Sequence, residues 1–339
     1  MAANRFDQLI DQWEPKLRRA FLDAIYALRN VADLSRIEEM LRRGDVEGAL
    51  RAVGLNAATL RPFDRAIAAA YEAGGAATAN TIPALVSAEG FRVIVQFNIR
   101  NPIAERWLVE HSSTMITGIV DDQRTMIRNY LRAGMEQGLN PRTVALDLVG
   151  RIGASGQREG GVIGLTSTQE EWYRNYLGEI ASEDPAVLRR ALDRKLRDKR
   201  FDRSILKAIN SEAGIPASLQ TKKGRAYLNR ALRYRAEVIS RTEAMTSLHT
   251  AQSEAIRQAV ESGALSPSVF TQKWHTARDR RVRDTHQTMD GQVQPYDGMF
   301  ITGSGARLRY PGDPDGEASE IIGCRCYRSF SINHYAGLT

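Results

Sequence analysis

The sequence predicts a mainly α-helical protein, with long helices forming an elongated body and a small C-terminal α+β, β-rich module. Three observations predict it. Apolar residues recur at helical spacing over long stretches, most clearly Leu228, Leu232, Val238, Ile239, Met245, Leu248 and Ile256. The front half carries a single strong alternating pattern, Phe91, Val93, Val95, Phe97 and Ile99 between polar neighbours. After Ser266 the helical period disappears, and glycine, proline, aspartate and arginine become frequent. These shifts divide the chain into an N-terminal helical region (1–88), a helical body with one strand (89–265) and a C-terminal module (266–339).

The elements follow in order. Leu17, Phe21, Ala24, Ile25 and Leu28 define an opening helix, and Leu34, Ile37 and Leu41 a second, which Gly44 stops and Asp45 follows as the next N-cap. A short helix through Phe63, Ile67 and Tyr71 is expected to end at Gly74-Gly75. The alternating stretch Phe91 to Ile99 reads as a half-buried strand with no partner visible nearby, one that an interface with another chain or a distant strand would supply. Asn101-Pro102 opens a long helix to about Met135, and Asn140-Pro141 opens another with Val144, Leu148 and Ile152 as its stripe. The glycine-rich tract from Gly153 to Gly164 reads as a mobile loop or hairpin. Ser167 to Glu170 fits a capping box, Arg189 to Arg203 a solvated helix face, and Gly224 to Glu261 the longest helix, closed by Gly263. Within the last module, Met299 to Ile301 and Arg325 to Ile332 read as strands.

At 339 residues the chain is long enough for two or three domains. It has no apolar run of eighteen residues and no signal-like core at its start, so neither a membrane span nor secretion is expected. The formal net charge of +7 is a mild basic excess that suits a nucleic-acid or acidic-protein neighbour without specifying either.

Chemistry-bearing residues gather in the last quarter, which holds both cysteines and three of the five histidines. Cys324 and Cys326 are one residue apart, so in an extended segment both face one side at the limit of disulfide reach and read as a reduced pair. His286, Cys324 and Cys326, with Asp279, Asp290 or His275 as a fourth ligand, have the atom types zinc favours. The same residues also suit a metal-free core of small buried thiols and a hydrogen-bonded imidazole. Asp279, Asp284, His286, Asp290, Asp313 and Asp315 are compatible with a metal-dependent nuclease, although Asp290-Gly291, Gly312-Asp313-Pro314 and Asp315-Gly316 are ordinary turn chemistry. Arg278, Arg280, Arg281 and Arg283 suit DNA phosphates or an acidic protein surface, and equally internal ion pairs with the interleaved Asp279 and Asp284, with Arg281 and Arg283 as orienting or contact residues. Trp274 is a core anchor, and Arg241 and Glu243 in the long helix are expected to make structural polar contacts. No nucleophile elbow, phosphate-binding loop, dinucleotide fingerprint or H-E-x-x-H is present.

Taken in order, Arg241-Thr242-Glu243, Gly263, Trp274 with Asp279, Arg281 and Arg283, His286, Gly291, Phe300, Pro311-Gly312-Asp313-Pro314 and Gly323-Cys324-Arg325-Cys326 resemble the Mu F-like head morphogenesis family, minor capsid proteins of tailed bacteriophages. The resemblance is close over about 236–330. It implies a non-enzymatic virion protein of the head interior, present in the host cytoplasm during assembly and bound to the phage portal protein. Major capsid or scaffolding protein and packaged double-stranded DNA are further implied partners, in packaging or ejection. Alternative readings are a metal-dependent hydrolase acting during packaging and a DNA-binding protein ejected with the genome. Family members commonly carry asparagine where Gly323 stands, which leaves the geometry of that corner open.

Overall fold

The computed structural model describes residues 5–83, 85–86, 92–153, 156–211, 213–263 and 265–332. In chain order, α1 (Arg5–Val31), α2 (Leu34–Arg42), α3 (Val46–Ala52) and α4 (Arg61–Ala79) precede a two-residue pair, β1 (Leu85–Val86) with β2 (Arg92–Val93). Then come α5 (Pro102–Glu136), α6 (Pro141–Val149), the hairpin β3 (Arg151–Ile152) and β4 (Arg158–Glu159), α7 (Ser167–Ala181), α8 (Pro185–Asp193), α9 (Asp202–Ser211) and α10 (Ala217–Glu261). The last stretch holds β5 (Phe270–His275), α11 (Asp284–Gln287), β6 (Val293–Pro295), β7 (Phe300–Ile301), β8 (Arg307–Leu308), α12 (Ala318–Ile321) and β9 (Tyr327–Ile332). A chain of long helices with a small module of antiparallel strands is the fold class that the periodicity predicts. No helix among the described residues is long and apolar enough to cross a membrane.

Several helix ends are set by their caps. Asp33 and Asp45 accept hydrogen bonds from Arg36 N and Gly48 N to start α2 and α3, and Asn140 caps α6 with Pro141 in its first turn. The capping box of α7 lies one residue earlier than Ser167, with Thr166 as N-cap and Gln169 closing the reciprocal bond. Gly150, at φ +90°, ends α6 before Ile152, which is exposed in β3 rather than part of a helical stripe. The charged stretch Arg189 to Arg203 is two helices and a turn, not one face, and its arginines meet Glu179, Asp198 and Asp202.

Two compact units emerge, each assembled from separate stretches of chain. The first gathers Met1–Phe21, Pro62–Thr114 and Glu237–Thr339. Here α4 runs straight through Gly74-Gly75, where the sequence suggests a stop. A Cβ at Gly74 would lie 2.8 Å from the backbone oxygen of Leu248, and one at Gly75 would collide with the Phe97 ring. These glycines thus serve close packing inside a helix rather than its termination. The alternating stretch is also shorter as a strand than expected. Only Arg92–Val93 pairs, and its partner is the nearby Leu85–Val86; Phe91 lies outside the described residues. Downstream, Phe97 and Ile99 pack with Tyr71 and Trp107, and Val95 with Ile82 and Ile256. Gln258 receives Asn98 N at 2.8 Å and donates back to Asn98 O at 3.0 Å, so a helix side chain stands in for a neighbouring strand.

The largest sheet of this unit among the described residues is three-stranded, ordered β6-β5-β9, with Trp274 opposite Arg328 and Gln272 opposite Phe330, and β7 pairs with β8 separately. Sequence reading misses β5, although Phe270, Gln272 and Trp274 alternate inward there. Its core joins Trp274, Met289, Phe300, Leu308, Cys324 and Cys326 to Met245 and Leu248 of α10 and to Phe6 and Ile10 of α1.

The second unit comprises Leu22–Arg61 and Met115–Ala236. The tract after the β3–β4 hairpin is not mobile surface: Val162, Ile163 and Leu165 are fully buried. Arg29 donates to Gly161 O (2.6 Å) and Ile163 O (3.0 and 2.6 Å), Gln123 to Leu165 O (2.7 Å), and Arg235 to Gly164 O (2.9 Å). Buried backbone carbonyls need partners, and here arginine and glutamine side chains supply them.

Candidate functional site

The site begins on α10. Arg241 donates to Cys324 O at 3.1 Å and pairs with Glu14 at 3.0 Å, while Thr242 Oγ1 accepts from Gly323 N at 3.0 Å. Glu243, the third residue of the triplet, lies 2.6 Å from His111 Nε2. Consecutive helix residues therefore grip the corner from which the Cys-Arg-Cys segment departs. Gly323 sits at φ +66° with open space around a hypothetical Cβ. Asparagine is the side chain that best tolerates this left-handed conformation, so glycine and asparagine are interchangeable there for a backbone reason. The Pro311–Pro314 turn docks one helical turn further along. Gly312, at φ +77°, presses against Met245 and Thr246 and accepts a 2.6 Å hydrogen bond from Thr246 Oγ1.

This corner delivers both thiols to His286. Cys324 Sγ and Cys326 Sγ each lie 3.5 Å from His286 Nδ1, and Cys326 N–H donates to Cys324 Sγ at 3.4 Å. Both cysteines are free, and no residue of the three is more than 1% exposed. The other ring nitrogen, Nε2, is 3.0 Å from Glu320 Oε2, off the line of a proper hydrogen bond. Glu320 is itself held by Thr285 (2.9 Å) and Ser304 (2.8 Å). Burial alone would raise its carboxyl, but those hydroxyls and the His286 ring keep it below the ordinary range. The thiols share their protonation: hydrogen bonding from Cys326, then from His286, favours the thiolate at Cys324, while Cys326 keeps its proton. Trp274 seals the cluster, edge-on to His286 at 5.5 Å and to Phe300 at 5.2 Å.

The remaining singled-out residues lie elsewhere. Asp279 pairs with Arg325 at 2.7 Å and accepts from Arg281 N at 2.9 Å, and these contacts hold its carboxyl below the usual range. Asp290 accepts from Thr276 N at 2.8 Å and pairs with Arg278 at 3.0 Å. His275 is 2.8 Å from Ser329 Oγ and stacks on Tyr327. These three candidate fourth ligands are not grouped with the thiol–imidazole cluster among the described residues. Asp313 binds Arg309 Nε at 3.1 Å and Arg309 N at 2.8 Å, and Arg283 donates to Ile322 O. The aspartates are thus distributed among separate turns and ion pairs.

Two partners escaped sequence reading. Glu320 has a faint signal, an acidic residue four positions before Cys324. Arg328 has a better one: it shares the inward parity of Cys326 and Phe330 in an extended segment. It is a fully buried cation lying over Tyr310 and Phe330, donating to Gln252 and Gln272 (3.0 Å each), Ser253 and His249 O (2.8 Å each) and Arg309 O (3.4 Å). Desolvation lowers its affinity for a proton, to a value of about 9.

His249 adjoins this hub. Its Nδ1 lies 2.9 Å from Met245 O and its Nε2 3.1 Å from Arg328 N, an arrangement that fixes a neutral ring with the proton on Nδ1. Burial, then the charge of Arg328, holds its pKa well below 6.5. Above about pH 6.5 the ring is neutral folded or unfolded and exerts no pH effect. Below it only the unfolded chain binds the proton, so stability should fall by up to about 1.4 kcal/mol per pH unit. Urea melts at pH 7.5 and 5.5 should show this slope, and His249→Gln should reduce it; an equal slope in the variant would assign the loss to other groups.

The geometry defines a class: a helical protein whose small β module is fastened to a long helix around a buried thiol–imidazole cluster. Residues 191–329 match the family of phage Mu protein F-like proteins, so this stretch of the chain is similar to that family. The match begins upstream of α9, well before the stretch whose motifs carry the resemblance. No curated protein and no solved structure matches the chain.

Proposed function

We propose that the chain is a structural minor head protein that acts in capsid assembly by binding the portal from the head interior, and that it is not an enzyme. The Mu F-like match over 191–329 is the observation that carries this reading. The site supports it, because a metal-dependent hydrolase of this kind needs carboxylates converging on a solvent-open pocket. Here His286 is buried, and Asp279, Asp290 and Asp313 are each engaged by a separate arginine. The test is co-purification of the full chain with the portal protein encoded in the same genome, at low and high salt. Retention at high salt supports the reading; failure to associate, alone or during assembly in cells, overturns it.

A second reading, contact with packaged DNA, is favoured by a groove of about 670 Å³ in the second unit. Lys222, Arg225, Arg230 and Arg233 fall on one face of α10, and Arg200 joins them. The lining includes one carboxylate, Asp198, which Arg200 engages at 2.7 Å and holds down to about 2. Five exposed cations against one paired carboxylate suit a phosphate backbone. If the groove binds duplex DNA, affinity should fall steeply with salt. Replacing Lys222, Arg225 and Arg233 together by alanine should flatten the log–log slope by about 2–3. Arg280→Ala/Arg281→Ala should leave it unchanged, and an unaltered slope in the triple variant would remove the groove from consideration.

A further inference from the structure

We propose that His286, Cys324 and Cys326 hold one zinc ion, which fastens the turn before β9 to α11. The distances carry the inference. A tetrahedral zinc with Zn–S near 2.3 Å and Zn–N near 2.0 Å separates sulfur from nitrogen by about 3.5 Å. Both Sγ–Nδ1 distances are 3.5 Å, and all three donor atoms lie within 4.8 Å of one another.

Valence points the same way. Glu320 sits against Nε2 and favours the ring proton there, so the lone pair of Nδ1 faces the two sulfurs. One lone pair and two buried sulfurs thus converge on a common point. A cation at the centre satisfies all three donors at once. The surroundings suit thiolates: Cys326 N–H donates to Cys324 Sγ, and the buried indole N–H of Trp274 acts on Cys326 without reaching hydrogen-bond geometry. Two thiolates and an imidazole select zinc over the harder divalent cations.

Binding is balanced without any oxidant or reductant: zinc enters, whatever protons the thiol pair still holds leave to solvent, and three metal–ligand bonds form. Three protein donors leave one position of a tetrahedral zinc open. Glu320 is a positioning residue that acts through His286, and Asp290 has no part in the site. The inference does not depend on the portal reading, since metal content is measured on the isolated chain.

The experiment uses the untagged full chain, purified under reducing conditions with zinc chloride and dialysed. Mass spectrometry of the metals should find about one zinc per chain. Cobalt(II) in its place should give a thiolate-to-cobalt charge-transfer band with tetrahedral d–d absorption. Cys324→Ser and Cys326→Ser should each abolish the charge-transfer signature of a two-thiolate site, and Glu320→Gln should weaken affinity about 10–100-fold with unchanged stoichiometry. Asp290→Asn should leave both unchanged. The wild-type cobalt spectrum decides the matter even if a cysteine variant fails to fold. Zinc absent from the dialysed chain, a cobalt complex lacking the charge-transfer band, or metal retained in the double cysteine variant would overturn the proposal.

Discussion

Replacing Arg328 by alanine is expected to destabilise the first unit by about 3–5 kcal/mol, a large share of the roughly 5–15 kcal/mol that holds an ordinary domain together. The reason lies in what the substitution leaves behind. Five acceptors, the side chains of Gln252, Gln272 and Ser253 and the carbonyls of His249 and Arg309, are arranged around one guanidinium. Each buried acceptor stripped of its donor costs about 1–3 kcal/mol. Lysine cannot reproduce a planar fork with five donors, so Arg328→Lys should recover only part of the loss. Urea denaturation and limited proteolysis within residues 266–332 provide the measurements. A change below about 1 kcal/mol in the alanine variant would mean that water replaces the guanidinium at little cost.

The second large effect is expected at Arg29, in the other unit. Its Nε and one terminal nitrogen satisfy the carbonyls of Gly161 and Ile163, while the remaining terminal nitrogen has no hydrogen-bond partner. Desolvation brings its pKa down to about 10, yet it remains charged at neutral pH. Arg29→Ala should cost about 3–5 kcal/mol and expose the segment 160–165 to hydrogen exchange. Arg29→Met separates the causes: it restores apolar volume but no donors, so it should stay within about 1 kcal/mol of the alanine variant. Recovery of wild-type stability by methionine would show that packing, not carbonyl satisfaction, anchors the segment.

The long helices were legible because their buried stripes repeat at a period that few other structures produce. Caps at Asp45 and Asn140 were equally legible, since the chemistry of a helix start is local. Residues whose meaning depends on a distant neighbour were not. Gly74 and Gly75 look like a stop until Leu248 and Phe97 arrive beside them. The alternation around Val95, Phe97 and Ile99 looks like a sheet until it is laid on helices, which reward the same period in an extended segment. In the site, His286, Cys324 and Cys326 stood out by residue type and do come together, but Asp279, Asp290 and His275 were equally plausible by type and go elsewhere. Arg328 was passed over because a surface position is the ordinary place for an arginine in an aromatic, serine-rich strand.

The core that surrounds Trp274 also fixes an order of events during synthesis. Phe6 and Ile10 leave the ribosome long before their neighbours Met245, Leu248, Trp274 and the two cysteines. The apolar face of the first helix must therefore remain unsatisfied while the intervening stretch is made, and contacts of such long sequence separation form slowly. A fragment starting at the Mu F-like stretch would lack these two side chains and present a greasy notch in their place. The first helix described is thus made well ahead of the core that buries it.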